Sequence, residues 1–131
     1  MSAYADAQAA YAAQSVLTAP PERLVVMLYD SALRFLNQAA SAYEDGDVRT
    51  GLAKIRRVDA ILAELDGSLD MSHGELPERL RSIYVFCRQH LLDAGLQRDP
   101  AAIRQVARLL ASLHEAWESI APTSSAAAHA A

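Results

Sequence analysis

Cysteine, histidine and aspartate are the residues of this sequence best suited to bind a metal ion, and two pairs of them have ligand spacing. Cys87 and His90 stand three positions apart, and Asp70 and His73 stand three apart near a preceding turn. A structural zinc site needs four such ligands, whereas a lone buried cysteine usually acts as a small apolar packing residue. We therefore expect no metal and no other cofactor.

The sequence also lacks the patterns of the common catalytic sites. A di-metal bundle site needs glutamate followed three residues later by histidine, and no such pair occurs. His90 and His114 have no lysine beside them to stabilise a phosphoryl group. There is no glycine-rich phosphate loop and no strand–turn–helix context for a nucleophile. The sequence therefore predicts a binding protein rather than an enzyme.

The charge pattern argues against nucleic acid as a partner. The chain has 131 residues, of which 52% are hydrophobic, and a net charge of −4. Basic and acidic residues are interspersed, whereas nucleic-acid binding usually needs a concentrated basic face that displaces counterions. A chain of this length and composition is expected to form a single domain with a packed core.

Location follows from three absences in the sequence. The apolar run 24–28 soon meets Asp30 and is far shorter than the roughly 20 residues of a membrane-spanning helix, so no membrane insertion is expected. The N-terminus lacks the basic start and apolar stretch of a secretory signal. The single cysteine, Cys87, cannot form an internal disulfide. Together these features predict a cytoplasmic protein in the cytosol.

Helices must position these residues, because apolar side chains in the body of the chain recur three and four positions apart. Composition divides the chain into an Ala-rich N-terminal segment at 1–19, a helical body at 20–121 and an Ala/Ser tail at 122–131. The tail has no large apolar residue to bury and is expected to be disordered. Within the body, four helices are predicted over residues 21–43, 48–69, 77–94 and 100–120.

The predicted helix ends rest on a few residues with known terminal preferences. Pro21 suits a first turn, Asp47 and Asp99 are good N-caps, and Gly95 is a plausible C-terminal stop.

Each predicted helix has a stripe of mostly apolar residues that is expected to face the core. The four stripes are Leu24, Met27, Leu28, Ser31, Phe35, Ala39 and Ala42, widened by Val25, Tyr29, Ala32 and Leu36; Leu52, Ile55, Val58, Ile61, Leu62 and Leu65; Leu80, Ile83, Tyr84, Cys87 and Leu91; and Ile103, Val106, Leu110, Leu113, Trp117 and Ile120.

Short connections between such helices make consecutive helices antiparallel neighbours. The predicted fold class is therefore all-α, an antiparallel up-down four-helix bundle. We expect an N-terminal extension at 1–19 that forms a short helix or cap.

The entry to the first helix carries a distinctive motif. It reads Tyr11-Ala-Ala-Gln-Ser-Val-Leu-Thr-Ala-Pro-Pro-Glu-Arg-Leu24, followed by Val25-Val-Met-Leu-Tyr-Asp30. This resembles the Tyr, Thr-Ala-x-Pro-x-x-Leu and Met-Leu-Tyr-Asp signature of the FliS family of flagellar secretion chaperones. Residues 61–65, 80–84 and 99–117 are also similar to the family pattern, in the same order.

The resemblance implies a cytosolic export chaperone that binds the disordered C-terminal segment of flagellin. Binding would prevent premature polymerisation and assist delivery to the flagellar type III export apparatus. Flagellar regulators and export gate proteins are further partners that the family's biology allows. The chaperone itself is expected to be a monomer or a weak homodimer.

Candidate partner-binding residues come mainly from the first helix, whose apolar arc is wider than a bundle interior requires. A broad arc also suits a core, and both interpretations stay open for each residue. The candidates are Tyr11, Val16, Leu17, Leu24, Met27, Leu28, Tyr29, Leu36, Ile61, Leu65 and Tyr84.

The N-terminal segment offers a second hypothesis. Tyr4 and Tyr11 lie seven positions apart among alanines and would share a face of a helix. We expect the segment from Tyr4 to Leu17 to act as a self-capping lid over part of an apolar groove, which the client displaces. A frayed terminus is the alternative for this segment. For the whole chain, the alternative is a structural or regulatory bundle that dimerises through the same apolar surface.

Overall fold

The computed structural model of the chain describes the backbone of residues 21–72 and 74–130 and the side chains of 22–72 and 74–117. These ranges contain four helices, α1 at Pro21–Glu44, α2 at Val48–Gly67, α3 at Glu75–Gln97 and α4 at Pro100–Ala130, and no strand. The predicted all-α four-helix bundle is confirmed. The predicted extension at 1–19 lies outside the described residues.

The four helices form a closed square in which each helix packs against two others. α1 and α3 each lie beside α2 and α4, and the pairs α1–α3 and α2–α4 are diagonal. Glu44 at the end of α1 contacts Arg104 near the start of α4, and His90 in the second half of α3 contacts Gln105 of α4. Neighbouring helices are therefore antiparallel, as short connections require.

The helix ends follow local chemistry. Asp47 Oδ1 accepts a hydrogen bond from the Thr50 amide at 3.2 Å. Hydrogen bonding from the Thr50 side chain, and then from this amide, lowers the pKa of the Asp47 carboxyl. Asp99 Oδ1 accepts from the amides of Ala101 and Ala102 at 3.0 and 3.3 Å. Both predicted N-caps are thus confirmed. Gly46 ends α1 in a left-handed conformation at φ 78°, which glycine adopts without steric cost.

The predicted stop at Gly95 is wrong, because α3 continues to Gln97 and the left-handed residue is Arg98 at φ 53°. The amides of Arg98 and Asp99 donate to the carbonyls of Gly95 and Ala94, which satisfies the last turn. A Cβ at Gly95 would lie 3.3 Å from Ile55 Cδ1, so the missing side chain lets α3 approach α2 closely.

α4 is longer than predicted. Its backbone is helical from Pro100 to Ala130, ten residues beyond the expected end at Ile120. Disorder of residues 122–131 stays a prediction, because a segment whose sequence has no large apolar residue can fray without losing a packed side chain.

The core lies along the bundle axis and contains the most buried residues of all four helices. Small residues of α1, including Ala32, Ala39 and Ala40, are fully buried there. They let the α1 backbone come close to its neighbours, and α1 packs more closely against α2 and α4 than α3 does. Leu52, a predicted inward residue, is solvent-exposed. Others are half-buried at the edge of the core, among them Phe35, Ile83 and Trp117, and the side chain of Ile120 lies outside the described residues.

A hydrogen bond crosses the centre of this core. The hydroxyls of Tyr29 on α1 and Tyr84 on α3 lie 2.5 Å apart, and both side chains are buried. The pKa of each hydroxyl is raised, mainly because burial disfavours the phenolate. Both tyrosines therefore stay protonated at neutral pH, and either hydroxyl can donate.

Replacing both members of this pair should cost less than the sum of the two single replacements. Tyr84→Phe removes one hydroxyl and leaves that of Tyr29 without this partner, which we expect to lower the free energy of unfolding by about 1 to 3 kcal/mol. The double variant Tyr29→Phe/Tyr84→Phe leaves no unsatisfied hydroxyl and should be less destabilised than the sum of the single variants. Urea denaturation of the four proteins measures the coupling; additive losses would contradict it.

A second close contact fixes the α1–α2 spacing. The ring of Tyr43 lies over Gly51 of α2, and a Cβ at that glycine would be 2.6 Å from Tyr43 Cε2. A methyl group there must displace the buried ring. Gly67, at the end of the same helix, has no atom within 4 Å of its Cβ position.

We therefore expect Gly51→Ala to destabilise the protein by about 1 to 3 kcal/mol through overpacking, despite alanine's better helix propensity. Gly67→Ala is the matched control and should be neutral or slightly stabilising. Thermal and urea unfolding followed by circular dichroism measure both. Equal effects of the two substitutions would show that the Tyr43 ring can shift without lowering the stability of the protein.

Candidate functional site

An apolar groove runs between α2 and α3 on the outside of the bundle. It has a volume of about 520 Å³ and is lined by Leu52, Ile55, Arg56, Asp59, Val85, Arg88, Gln89, Leu91 and Leu92. Ile55 and Leu91 form its buried floor. Clefts of this size with apolar walls and a few polar groups are typical binding sites.

The walls of the groove expose large apolar side chains to solvent. Leu52 is 38% exposed, Val85 43% and Leu92 65%, and Leu96, one turn further along α3, is 76% exposed. Val85, Leu92 and Leu96 are separated by seven and four positions, so they share one face of α3. A contiguous exposed apolar strip of this kind marks an interaction surface.

Ion pairs cross from α2 to α3 and fix the register of the groove. Arg88 donates to both carboxylate oxygens of Asp59, at 2.7 and 3.3 Å. Arg81 donates to Asp66 at 2.9 Å. Asp66 lies seven residues after Asp59, and Arg81 lies seven before Arg88, as expected for antiparallel helices in one register. The hydrogen bond to Asp59 raises the pKa of the Arg88 guanidinium, which stays charged.

Most of the predicted partner-binding residues lie inside the bundle instead. Leu28, Tyr29, Leu36, Ile61, Leu65 and Tyr84 are buried, and Leu24 and Met27 are half-buried on α1. The structure brings Tyr29 and Tyr84 into direct contact. Tyr4, Tyr11, Val16 and Leu17 lie outside the described residues.

Sequence reasoning missed the α3 side of the groove. Val85, Leu92 and Leu96 lie outside the stripe assigned to the core, and Leu52 was placed within a stripe. A signal was present, because α3 carries apolar residues on its outer side as well as its inner side. A helix that is apolar on two sides must cover the second side with a neighbour or expose it.

A second apolar cavity, of about 230 Å³, opens at the end of the bundle where α1 begins. Its lining includes Val25 of α1, Leu65 of α2, Leu76 and Tyr84 of α3, and Trp117 of α4. The N-terminal segment joins α1 only a few residues before Val25. The cavity therefore lies within reach of the residues that precede Pro21.

The candidates for chemistry occupy packing positions. Cys87 is fully buried, and burial raises the pKa of its thiol to about 11, which keeps it protonated and unreactive at neutral pH. His90 Nε2 lies 3.2 Å from Gln105 Oε1, and its ring stacks on Phe86. Among the described residues, no group of three or more His, Cys, Asp or Glu side chains is placed to hold a metal ion.

Within the described ranges, no helix combines the length and apolar character needed to cross a bilayer.

Comparison with known proteins places these features in one family. Residues 3–124 match the family model described as flagellar protein FliS. The flagellar secretion chaperone FliS of Salmonella typhimurium is 35% identical over 113 residues, covering 85% of this chain and 84% of the relative. The protein of the same name from Bacillus subtilis is 28% identical, covering 83% and 81%. That of Campylobacter jejuni is 32% identical, covering 76% and 79%.

Proposed function

Because the chain belongs to the flagellar protein FliS family, and so is a flagellar secretion chaperone and not an enzyme, we propose that it binds the C-terminal segment of flagellin in the cytosol. The chaperone would hold this segment until delivery to the flagellar type III export apparatus and so prevent premature polymerisation. The α2–α3 groove is the proposed binding site.

The observation that carries this proposal is the exposed apolar strip of α3. The strip from Val85 to Leu96 spans twelve residues of helix, or about 16 Å at a rise of 1.5 Å per residue. This length suits about three turns of a client helix, which would insert apolar residues spaced three, four and seven positions apart. Val85 and Leu92 line the groove with Leu52 opposite them, so a client could bury apolar surface against both helices.

Few charged residues lie at the rim of the groove. Arg56 lies on one side, and the paired Arg88 and Asp59 cross between the helices. A paired arginine and aspartate contribute no net charge, so binding would rest on apolar burial more than on attraction. A disordered client also has to be ordered, at a cost of about 2 to 5 kcal/mol, and only an extended apolar contact can offset that cost.

Disrupting the strip should weaken client binding without unfolding the chaperone. Leu92→Asp and Leu96→Asp change exposed side chains, so stability should stay within about 0.5 kcal/mol. Affinity for a flagellin C-terminal peptide of about forty residues should fall about tenfold or more per leucine, because each loses the burial of a large apolar side chain. Isothermal titration calorimetry measures affinity, stoichiometry and the heat-capacity change.

Phe86→Asp provides a matched control. Phe86 lies on the same helix with a similar exposure of 54%, but it directly follows Val85 and so falls outside the face that Val85, Leu92 and Leu96 share. Equal losses of affinity in the Phe86 and Leu92 variants would contradict the groove as the binding site. Sedimentation of the client-free protein tests the dimer alternative, since a tight dimer disrupted by Leu92→Asp would show that a second copy occupies the strip.

We also propose that the segment from Tyr4 to Leu17 acts as a lid that the client displaces. Its nearness along the chain to Val25 supports this proposal, because Val25 lines the end cavity and lies only four residues after Pro21. Val16 and Leu17 could cover the cavity, and the other twelve residues of the segment, at up to roughly 3.3 Å each, are enough to extend well along the bundle.

Deleting residues 2–17 should then increase affinity for the flagellin peptide roughly three- to tenfold, because the peptide no longer has to displace the segment before it binds. Deleting residues 122–131 is the control for shortening the chain and should leave affinity unchanged. Titration calorimetry compares the three proteins. Unchanged or weaker binding after the N-terminal deletion would rule out the lid.

A further inference from the structure

A group of cations surrounds one aromatic ring on the α1–α2 side of the bundle, away from the groove. Arg34, Lys54 and Arg57 place their charged groups 5.6, 5.3 and 5.4 Å from the centroid of the Phe35 ring. Phe35 is half-buried, and Arg57 and Arg34 are exposed. We call these four residues the basic–aromatic patch.

The patch belongs to a locally basic region of an acidic protein. Residues 48–58 of α2 contain four basic residues and no acidic residue, although the whole chain has a net charge of −4. Of the four, Lys54 and Arg57 lie against Phe35, whereas Arg56 lines the groove. Arg34 lies 3.5 Å from Asp30. Among the described residues, neither Lys54 nor Arg57 forms an ion pair, so their charges are not neutralised within the fold.

Attraction to the Phe35 ring only partly offsets the repulsion among the three cations. An exposed cation gains about 0.5 to 1 kcal/mol over an aromatic face, and three cations around one ring also repel one another. A carboxylate placed between Lys54 and Arg57 would relieve the repulsion and accept charge-assisted hydrogen bonds from both. The partly buried ring meanwhile offers apolar contact for the stem of an incoming side chain.

We propose that the basic–aromatic patch docks an acidic segment of a partner protein. Its size favours carboxylates over a nucleic-acid backbone, because three cations around one ring match one or two anionic groups, whereas nucleic-acid affinity depends on many phosphate contacts. Glutamates four apart on a helix would lie about one turn apart and bracket the ring. The groove and the patch flank α2 on opposite sides, towards α3 and α1, so one partner need not displace the other.

The test uses the full-length chain and a labelled helical peptide of about eighteen residues with glutamates four positions apart. Fluorescence anisotropy should detect binding that weakens with added salt. Lys54→Glu/Arg57→Glu should lower the affinity about tenfold or more, because attraction becomes repulsion. Arg23→Glu/Arg108→Glu makes the same change in net charge at exposed positions on α1 and α4 and should change affinity by less than about twofold.

The neutral variant Lys54→Gln/Arg57→Gln keeps the test valid if charge reversal perturbs folding, which circular dichroism checks. It should also lose affinity, by less than the reversal. Absence of peptide binding, or equal losses in the patch and control variants, would overturn the proposal. Tighter, patch-dependent binding of a single-stranded RNA or of vesicles of phosphatidylglycerol and phosphatidylcholine would overturn it in favour of a polyphosphate or membrane partner.

Discussion

The hydrogen bond between the Tyr29 and Tyr84 hydroxyls joins α1 and α3, the two helices that lie diagonally across the bundle. Apolar contacts alone allow a helix to rotate or slide by small amounts, because they have little directional preference. A buried hydroxyl pair is satisfied only in one register, and its loss leaves a polar group unpaired in the core. This contact therefore fixes how α3 faces the other helices, and so which of its apolar residues point outwards.

The groove follows from that orientation. With Tyr84, Cys87 and Leu91 directed into the core, Val85 and Leu92 must face outwards beside α2. Small buried residues bring α1 close to its neighbours, whereas larger residues and the Asp59–Arg88 pair occupy the α2–α3 boundary. The result is a bundle that is tightly packed around α1 and open along one edge of α3.

Both proposed interaction surfaces lie on flanks of α2. The flank towards α3 is apolar with a balanced ion pair, and that towards α1 is basic around Phe35. These surfaces differ in physical character: burial of apolar area is largely insensitive to salt, whereas attraction to cations is screened by it. Salt dependence would therefore distinguish binding at the proposed groove from binding at the proposed patch.

The sequence by itself determined the fold class, four amphipathic helices, two aspartate N-caps and the family signature, because these depend on local spacing and on residues adjacent in the chain.

The candidate site was predicted less well. Periodicity shows that Tyr29, Leu36 and Tyr84 are apolar-facing, but a wide arc has the same pattern whether it is covered by a neighbouring helix or by a partner. Tertiary packing covered these residues and left Val85, Leu92 and Leu96 exposed. It also decided the role of Gly95, which the sequence suggested as a stop and the structure uses for a close approach to Ile55. Which apolar side of a helix becomes core depends on how helices distant in sequence pack together, and that arrangement exists only in the assembled bundle.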